Sequence, residues 1–241
     1  MAIPFPKRKV PRAVAAAELE ILERTYPHAV TALEYHDPFE LLIAVILSAQ
    51  CTDARVNLTT PHLFAAYPDA RALAGAAQSD VERIIKACGF FRTKAKNVIE
   101  TARIITAEHA GRVPSDRASL EALPGVGRKT ANVVMSVAFE EAAFAVDTHV
   151  FRVSHRLGLT LATTPRGVEE DVTRLVPRAQ WRHAHHWLIL HGREICKAPI
   201  PRCGSCPVTM CPSRPIVARS LAARSRPSAP VAAARRPRRS S

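Results

Sequence analysis

The chain has 241 residues, 47% hydrophobic and only 5% aromatic, enough for one large or two small cores filled mainly by Leu, Ile, Val and Ala. The longest strongly apolar run, residues 41–47, is far too short to span a bilayer, and Glu18 and Glu20 interrupt the apolar stretch near the start, which speaks against a secretory leader. The formal net charge is +13, but twelve of the 34 basic residues lie in residues 1–12 and 213–241, leaving 22 basic against 21 acidic between them.

The expectation is therefore a soluble, intracellular protein with no membrane partner, whose folded part needs its own evidence for nucleic-acid binding. Residues 1–12 and 213–241 are rich in Pro, Ala, Ser and Arg without hydrophobic periodicity and read as disordered basic tails. Only seven of the basic residues are Lys, a bias that GC-rich coding produces and that favours a bacterial source, cytoplasmic or nucleoid-associated. The segment Pro6–Val10 also has the composition of a nuclear localisation signal, which would matter in a eukaryotic chain; a solvated basic tail that touches phosphate is the better reading.

Helix signals dominate and strand signals are almost absent, so the fold class expected is all-α, with roughly ten helices. Asp37-Pro38-Phe39-Glu40 opens one helix with a capping residue, a first-turn proline and a capping-box glutamate. The run 41–47 that follows is apolar on every side, as in a central buried helix, and it ends in the polar Ser48-Ala49-Gln50-Cys51-Thr52-Asp53. Ser79 and Glu82 form a second capping box, and Gly89 closes that helix. Gly89-Phe90-Phe91-Arg92-Thr93-Lys94 is then a loop in which two adjacent aromatics cannot both be core. A further helix runs from about Thr93 to His109. Thr164-Pro165 opens a later one, and residues 180–195 form the last long helical stretch.

The most informative segment is residues 120–132, in which two apolar helical stretches flank Leu123-Pro124-Gly125-Val126-Gly127. The glycines allow a tight turn and close approach, and the turn's N–H groups followed by a helix N-terminus suit a backbone phosphate. Such a helix–hairpin–helix grips DNA without reading its sequence. Lys129 follows immediately, where a lone Lys is ordinarily a solvated charge. Asp147, in Val146-Asp147-Thr148-His149, stands where a helix begins and by itself is a cap. Together they suggest chemistry. A neutral lysine amine can attack a sugar C1′, expel the base and leave a Schiff base that drives β-elimination. Holding any lysine neutral at pH 7 costs about 4–5 kcal/mol from a reference pKa near 10.4, which burial or a nearby cation such as Arg128 would reduce. A carboxylate can stabilise positive charge on the sugar and move protons.

Four of the six cysteines fall in Cys196-x6-Cys203-x2-Cys206-x4-Cys211. In an intracellular chain this spacing means metal, and both zinc and an iron–sulfur cluster accept four thiolates. Cys51 and Cys88 lie in apolar helical surroundings and read as packing residues.

Residues 123–134, 145–153 and 185–192 (His-His-Trp-Leu-Ile-Leu-His-Gly) resemble the endonuclease III family of helix–hairpin–helix DNA glycosylases, and the likeness runs from about residue 18 to 211. The resemblance implies a bifunctional DNA glycosylase and AP lyase of base excision repair, acting as a monomer on double-stranded DNA with oxidised pyrimidines or abasic sites. It makes Lys129 the Schiff-base nucleophile and Asp147 the catalytic carboxylate. It implies a six-helix domain at 31–141, a second domain combining 13–30 with 142–212, and an active site in the cleft between them.

DNA contacts are then expected at Gly125, Val126, Gly127, Arg128 and Thr130. Gln50 would fill the space left by the flipped base, Phe90 would be the intercalating wedge, and Lys94 would reach the duplex. Cys196, Cys203, Cys206 and Cys211 would ligate one 4Fe-4S cluster. His183, His185, His186 and His191 then read as packing rather than as ligands. Two departures stand out: the last cysteine gap is four residues where the family has five, and the loop 197–202 is poor in basic residues. Two other readings compete, a monofunctional glycosylase of the same superfamily and a non-catalytic DNA-binding module; neither calls for Lys129 beside Asp147.

Overall fold

Six helices build the first part of the chain around one that is apolar on all sides. The computed structural model describes residues 3–224, and among these it contains twelve α-helices and no strand. They are α1 (Arg12–Thr25), α2 (Pro38–Leu47), α3 (Asp53–Ala66), α4 (Ala70–Ala74), α5 (Gln78–Ile85), α6 (Phe91–Glu108), α7 (Arg117–Ala122), α8 (Arg128–Ala138), α9 (Thr148–Arg156), α10 (Pro165–Thr173), α11 (Trp181–Glu194) and α12 (Ser213–Arg224). In α2 every residue from Phe39 to Leu47 except Glu40 is buried, so the helix has no solvent face and its neighbours must cover it. Helices α3, α6 and α8 do so.

The helix starts follow capping chemistry. The Asp37 carboxylate accepts from the Glu40 N–H at 2.9 Å, and Glu40 reaches back to the His36 N–H at 2.7 Å, one residue earlier than a capping box would place it. Thr52, Asp69, Asp116, Asp147 and Thr164 cap α3, α4, α7, α9 and α10 with their side chains. The capping box expected from Ser79 and Glu82 does not form. α5 begins at Gln78, one residue before Ser79, so Ser79 lies inside the helix and Ala77 is an uncapped start.

Buried side chains gather into two clusters. One is built on α2 with α3–α8, and the other joins α1 to α9, α10 and α11. The non-helical segment 143–147 divides its side chains between them: Ala145 belongs to the first cluster, Phe144 and Val146 to the second. Successive side chains go to opposite clusters, so this segment lies along the seam. α9 packs closely on α11, where a Cβ at Gly192 would stand 3.0 Å from the Cβ of His149. Ion pairs cross the seam as well, Arg128 to Glu169 at 2.8 Å and Arg193 to Asp53 at 2.7 Å.

The expectation of disordered tails is corrected on both sides. Ile3 is buried, Phe5 lies against the His155 ring, Lys9 pairs with Asp171 at 2.7 Å, and the Val10 N–H donates to the Gly158 carbonyl at 3.0 Å. Three apolar residues spaced through a basic segment suffice to dock it, although they show no helical or strand period. At the other end α12 extends to Arg224; Ser213 and Val217 are buried, and the Ser213 hydroxyl donates to the Arg156 carbonyl at 2.7 Å. Residues 1–2 and 225–241 lie outside the described residues.

Candidate active site and cysteine cluster

The hairpin is the turn between α7 and α8. Gly125 has φ of 80°, in the left-handed region, and a Cβ there would stand 2.9 Å from Asn97 Nδ2, so both backbone and space demand glycine. Val126 is buried, which anchors the turn and leaves only its backbone for DNA. Gly127 is the N-cap of α8 with open space where a Cβ would be, so the unpaired first-turn N–H groups stay accessible. Thr130 sits half-buried in that first turn.

Arg128 departs from the expectation of a DNA contact or a cation lowering the cost of a neutral lysine. Its guanidinium forms a two-pronged pair with Glu169 at 2.8 and 2.9 Å, which satisfies its charge inside the protein. The pairing also raises the Arg128 pKa, the hydrogen bonds to Glu169 being the main cause.

Lys129 is exposed on α8 and lines, with Asp147, a pocket along the seam. The cap fixes Asp147: its Oδ1 accepts from the Val150 N–H at 2.7 Å, leaving Oδ2 for other work. The cavity's far wall is His185 and His186, whose rings lie 4.0 Å apart. Burial drives both imidazoles toward the neutral form, His185 well below its usual range and His186 down to about 4. Val30 and Thr31, from the segment joining α1 to α2, complete the rim, and Val30 is exposed there.

Two loops stand beside the hairpin. Gln50 (φ 52°) and Phe90 (φ 47°) both adopt left-handed backbone, and both side chains are exposed, Phe90 by 65%. Phe91 instead packs against the first core, which settles which of the adjacent aromatics faces outward. Gln50, Phe90, Asn97 and Gly125 line one cleft.

Lys94 is corrected. Its side chain is buried and its Nζ donates to the Leu47 carbonyl at 2.8 Å and the Cys88 carbonyl at 2.7 Å. An ammonium held this way cannot reach a phosphate, and burial lowers its pKa. Cys88 is buried as expected, while Cys51 is only half-buried in the turn after α2.

The four C-terminal cysteines line a single, largely apolar pocket with Arg156, His191 and Val217. Burial pushes the Cys203 and Cys206 thiols up and Cys211 to about 12, so thiolates there require a cation. Among the described residues no three His, Cys, Asp or Glu side chains converge on a point that would hold one metal ion. Four cysteine sulfurs around one pocket are a donor set that either zinc or an iron–sulfur cluster accepts. Arg156 is buried alongside, donating to the Cys196 carbonyl and sulfur, and its Nε is without a partner, a cation fitted to excess negative charge. His191 Nε2 lies 3.7 Å from Cys206 Sγ.

The sequence reading missed the neutral His185–His186 wall, the seam pair Arg193–Asp53 and the role of Arg156. Each depends on partners far apart in the chain, and no local pattern marks them.

Residues 43–178 match the family described as HhH-GPD superfamily base excision DNA repair protein. Endonuclease III of Synechocystis sp. is 50% identical over 197 residues, covering 81% of this chain and 90% of that protein. Endonuclease III of Escherichia coli K12 is also 50% identical over 197 residues, 79% of this chain and 92% of that protein. Among solved structures, a trapped endonuclease III–DNA covalent intermediate superposes with a TM-score of 0.83 at 41% identity, covering 88% of this chain and 99% of that one. The chain belongs to the endonuclease III family of the HhH-GPD superfamily of base excision DNA repair proteins.

Proposed function

We propose that this chain is a base-excision DNA glycosylase with AP lyase activity, in which Lys129 is the nucleophile and Asp147 the carboxylate that serves it. The observation that carries the assignment is their meeting in one seam cavity, with Lys129 in the first turn of the helix that the hairpin presents. Phosphates held at the N-terminus of α8 bring a deoxyribose to Lys129. The amine attacks C1′, the C1′–N bond breaks, and the base leaves as the C1′–lysine bond forms. Asp147 Oδ2 stabilises the positive charge that develops on the sugar and accepts the amine's proton. The C1′–O4′ bond then breaks as the nitrogen lone pair forms the iminium, O4′ takes the proton that Asp147 received, and the iminium makes a C2′ proton acidic. Loss of that proton expels the 3′ phosphate, and water releases the lysine.

The substrates proposed are oxidised pyrimidines and abasic sites in double-stranded DNA, handled by a monomer in a bacterial cytoplasm or nucleoid. Among the described residues no helix is long and apolar enough to cross a membrane. Phe90 enters the stack and Gln50 fills the gap behind the extruded nucleotide; their exposure beside the hairpin supports this.

Cys196, Cys203, Cys206 and Cys211 hold a 4Fe-4S cluster whose contribution is structural, tying the segment after α11 to α9 and α12. The shortened last gap is absorbed in the loop 207–210, and Arg156 balances the charge. Pure protein incubated with duplexes carrying thymine glycol should release the base and cut the strand. It should also be yellow-brown, with about four irons per chain. Colourless, active protein holding one zinc would contradict the cluster, and no cleavage of either lesion or abasic duplex would contradict the activity.

A further inference from the structure

Lys94 is a buried lysine that the chemistry above does not use. Lysines are almost never fully buried without partners, and this one has two backbone carbonyls from different loops. Leu47 is the last residue of α2, and Cys88 is the last residue of the short helical turn 86–88. Carbonyls at helix ends have no intrahelical donor and carry partial negative charge, so one ammonium completes both ends at once. Gln50 follows Leu47 by three residues, and Phe90 follows Cys88 by two. Both are non-glycine residues held at left-handed φ, a conformation that persists only where the surroundings impose it.

We propose that Lys94 is a positioning residue that ties the Gln50 loop to the Phe90 loop, so that the two side chains enter the duplex as one preformed pair. Loops that hold their inserting residues in place before binding avoid the ordering cost that free loops incur on contact. The same cleft reaches the hairpin through Asn97, which packs against Gly125, so both fingers have a fixed relation to the phosphate grip. The inference rests on the glycosylase reading, because it assumes that Gln50 and Phe90 are the inserting residues.

Lys94→Met keeps the length of the stem and removes both hydrogen bonds. In single-turnover assays it should lower excision of thymine glycol from duplex about tenfold, while incision at an abasic site in single-stranded DNA stays within about twofold. A 2-aminopurine beside the lesion should show a matching loss of unstacking signal. In a background already carrying Gln50→Ala and Phe90→Ala, adding Lys94→Met should cost less than about twofold more, because positioning has nothing left to position. Thermal melts followed by circular dichroism separate these effects from unfolding. Equal loss on duplex and single strand, an unchanged duplex rate, or fully additive losses would overturn the proposal. Wild-type protein that cuts neither substrate would instead overturn the reading beneath it.

Discussion

Asp147 caps α9 and, in the mechanism proposed above, also serves the sugar, two duties that a single substitution can separate. Asn caps helices about as well as Asp, so Asp147→Asn should change the melting temperature little. In the proposed mechanism it loses the charge that would face the sugar, so base release under single-turnover conditions should fall by about two orders of magnitude or more. A turnover near wild type would reduce Asp147 to a cap.

Glu18 gives a pH-dependent test at the same scale. Both its carboxylate oxygens are buried without partners, and burial raises its pKa from 4.5 to about 8. Its folded pKa is above its unfolded one, so the penalty for ionising it in the unfolded state is absent below about pH 4.5. Stability then declines as pH rises toward 8 and levels off above it. Glu18→Leu should therefore stabilise the fold at pH 7 by up to about 3 kcal/mol and flatten urea-measured stability between pH 5 and 8. A mutant less stable than wild type at pH 8 would contradict this.

Lys94 and Arg128 show where reading single residues stops working. Beside an aromatic wedge or a phosphate grip, a basic residue looks like a DNA contact. Whether its charge is already satisfied depends on Leu47, Cys88 and Glu169, which sequence proximity does not reveal. Asp37, Thr164 and the Gly125 turn were legible because their partners lie within four residues.

At the level of elements, the hairpin and its flanking helices form a unit whose register is set by Val126 beneath and Gly125 above. Arg128 belongs to the seam rather than to the DNA face, and this makes a specific prediction. Arg128→Ala should lower stability by about 1 kcal/mol through loss of the Glu169 pair, since that pair is partly exposed. It should leave the slope of log affinity against log salt unchanged, whereas removal of a true phosphate contact reduces that slope by about 1. A reduced slope with unchanged stability would return Arg128 to the DNA. α2 is the opposite kind of element, one whose burial was plain from an apolar run on all sides. The seam segment 143–147 could not be recognised, because its alternating side chains serve two cores that only the fold defines.

Taken whole, the molecule separates its charge from its chemistry. The seam holds the lysine, the carboxylate and a neutral histidine wall, while much of the positive charge lies toward the ends. Residues 3–11 dock on α9 and α10 through Phe5, Lys9 and Val10, so deleting them should lower the melting temperature. Residues 225–241 carry five arginines and no acid. Deleting them should flatten the salt dependence of non-specific binding, by up to about 4 in slope, and leave lesion preference intact. Composition alone could not register Ile3, Phe5 and Val10, the three apolar residues that dock residues 3–11.

The measurement that tests the central assignment most directly is borohydride reduction of the enzyme on an abasic duplex. Wild-type protein should yield a covalent protein–DNA adduct that survives denaturing gels, since reduction converts the iminium to a stable amine. Lys129→Ala should give no adduct while binding the same duplex with an affinity within about threefold, because the hairpin's backbone groups remain. An undiminished adduct in Lys129→Ala would place the nucleophile elsewhere and contradict the account.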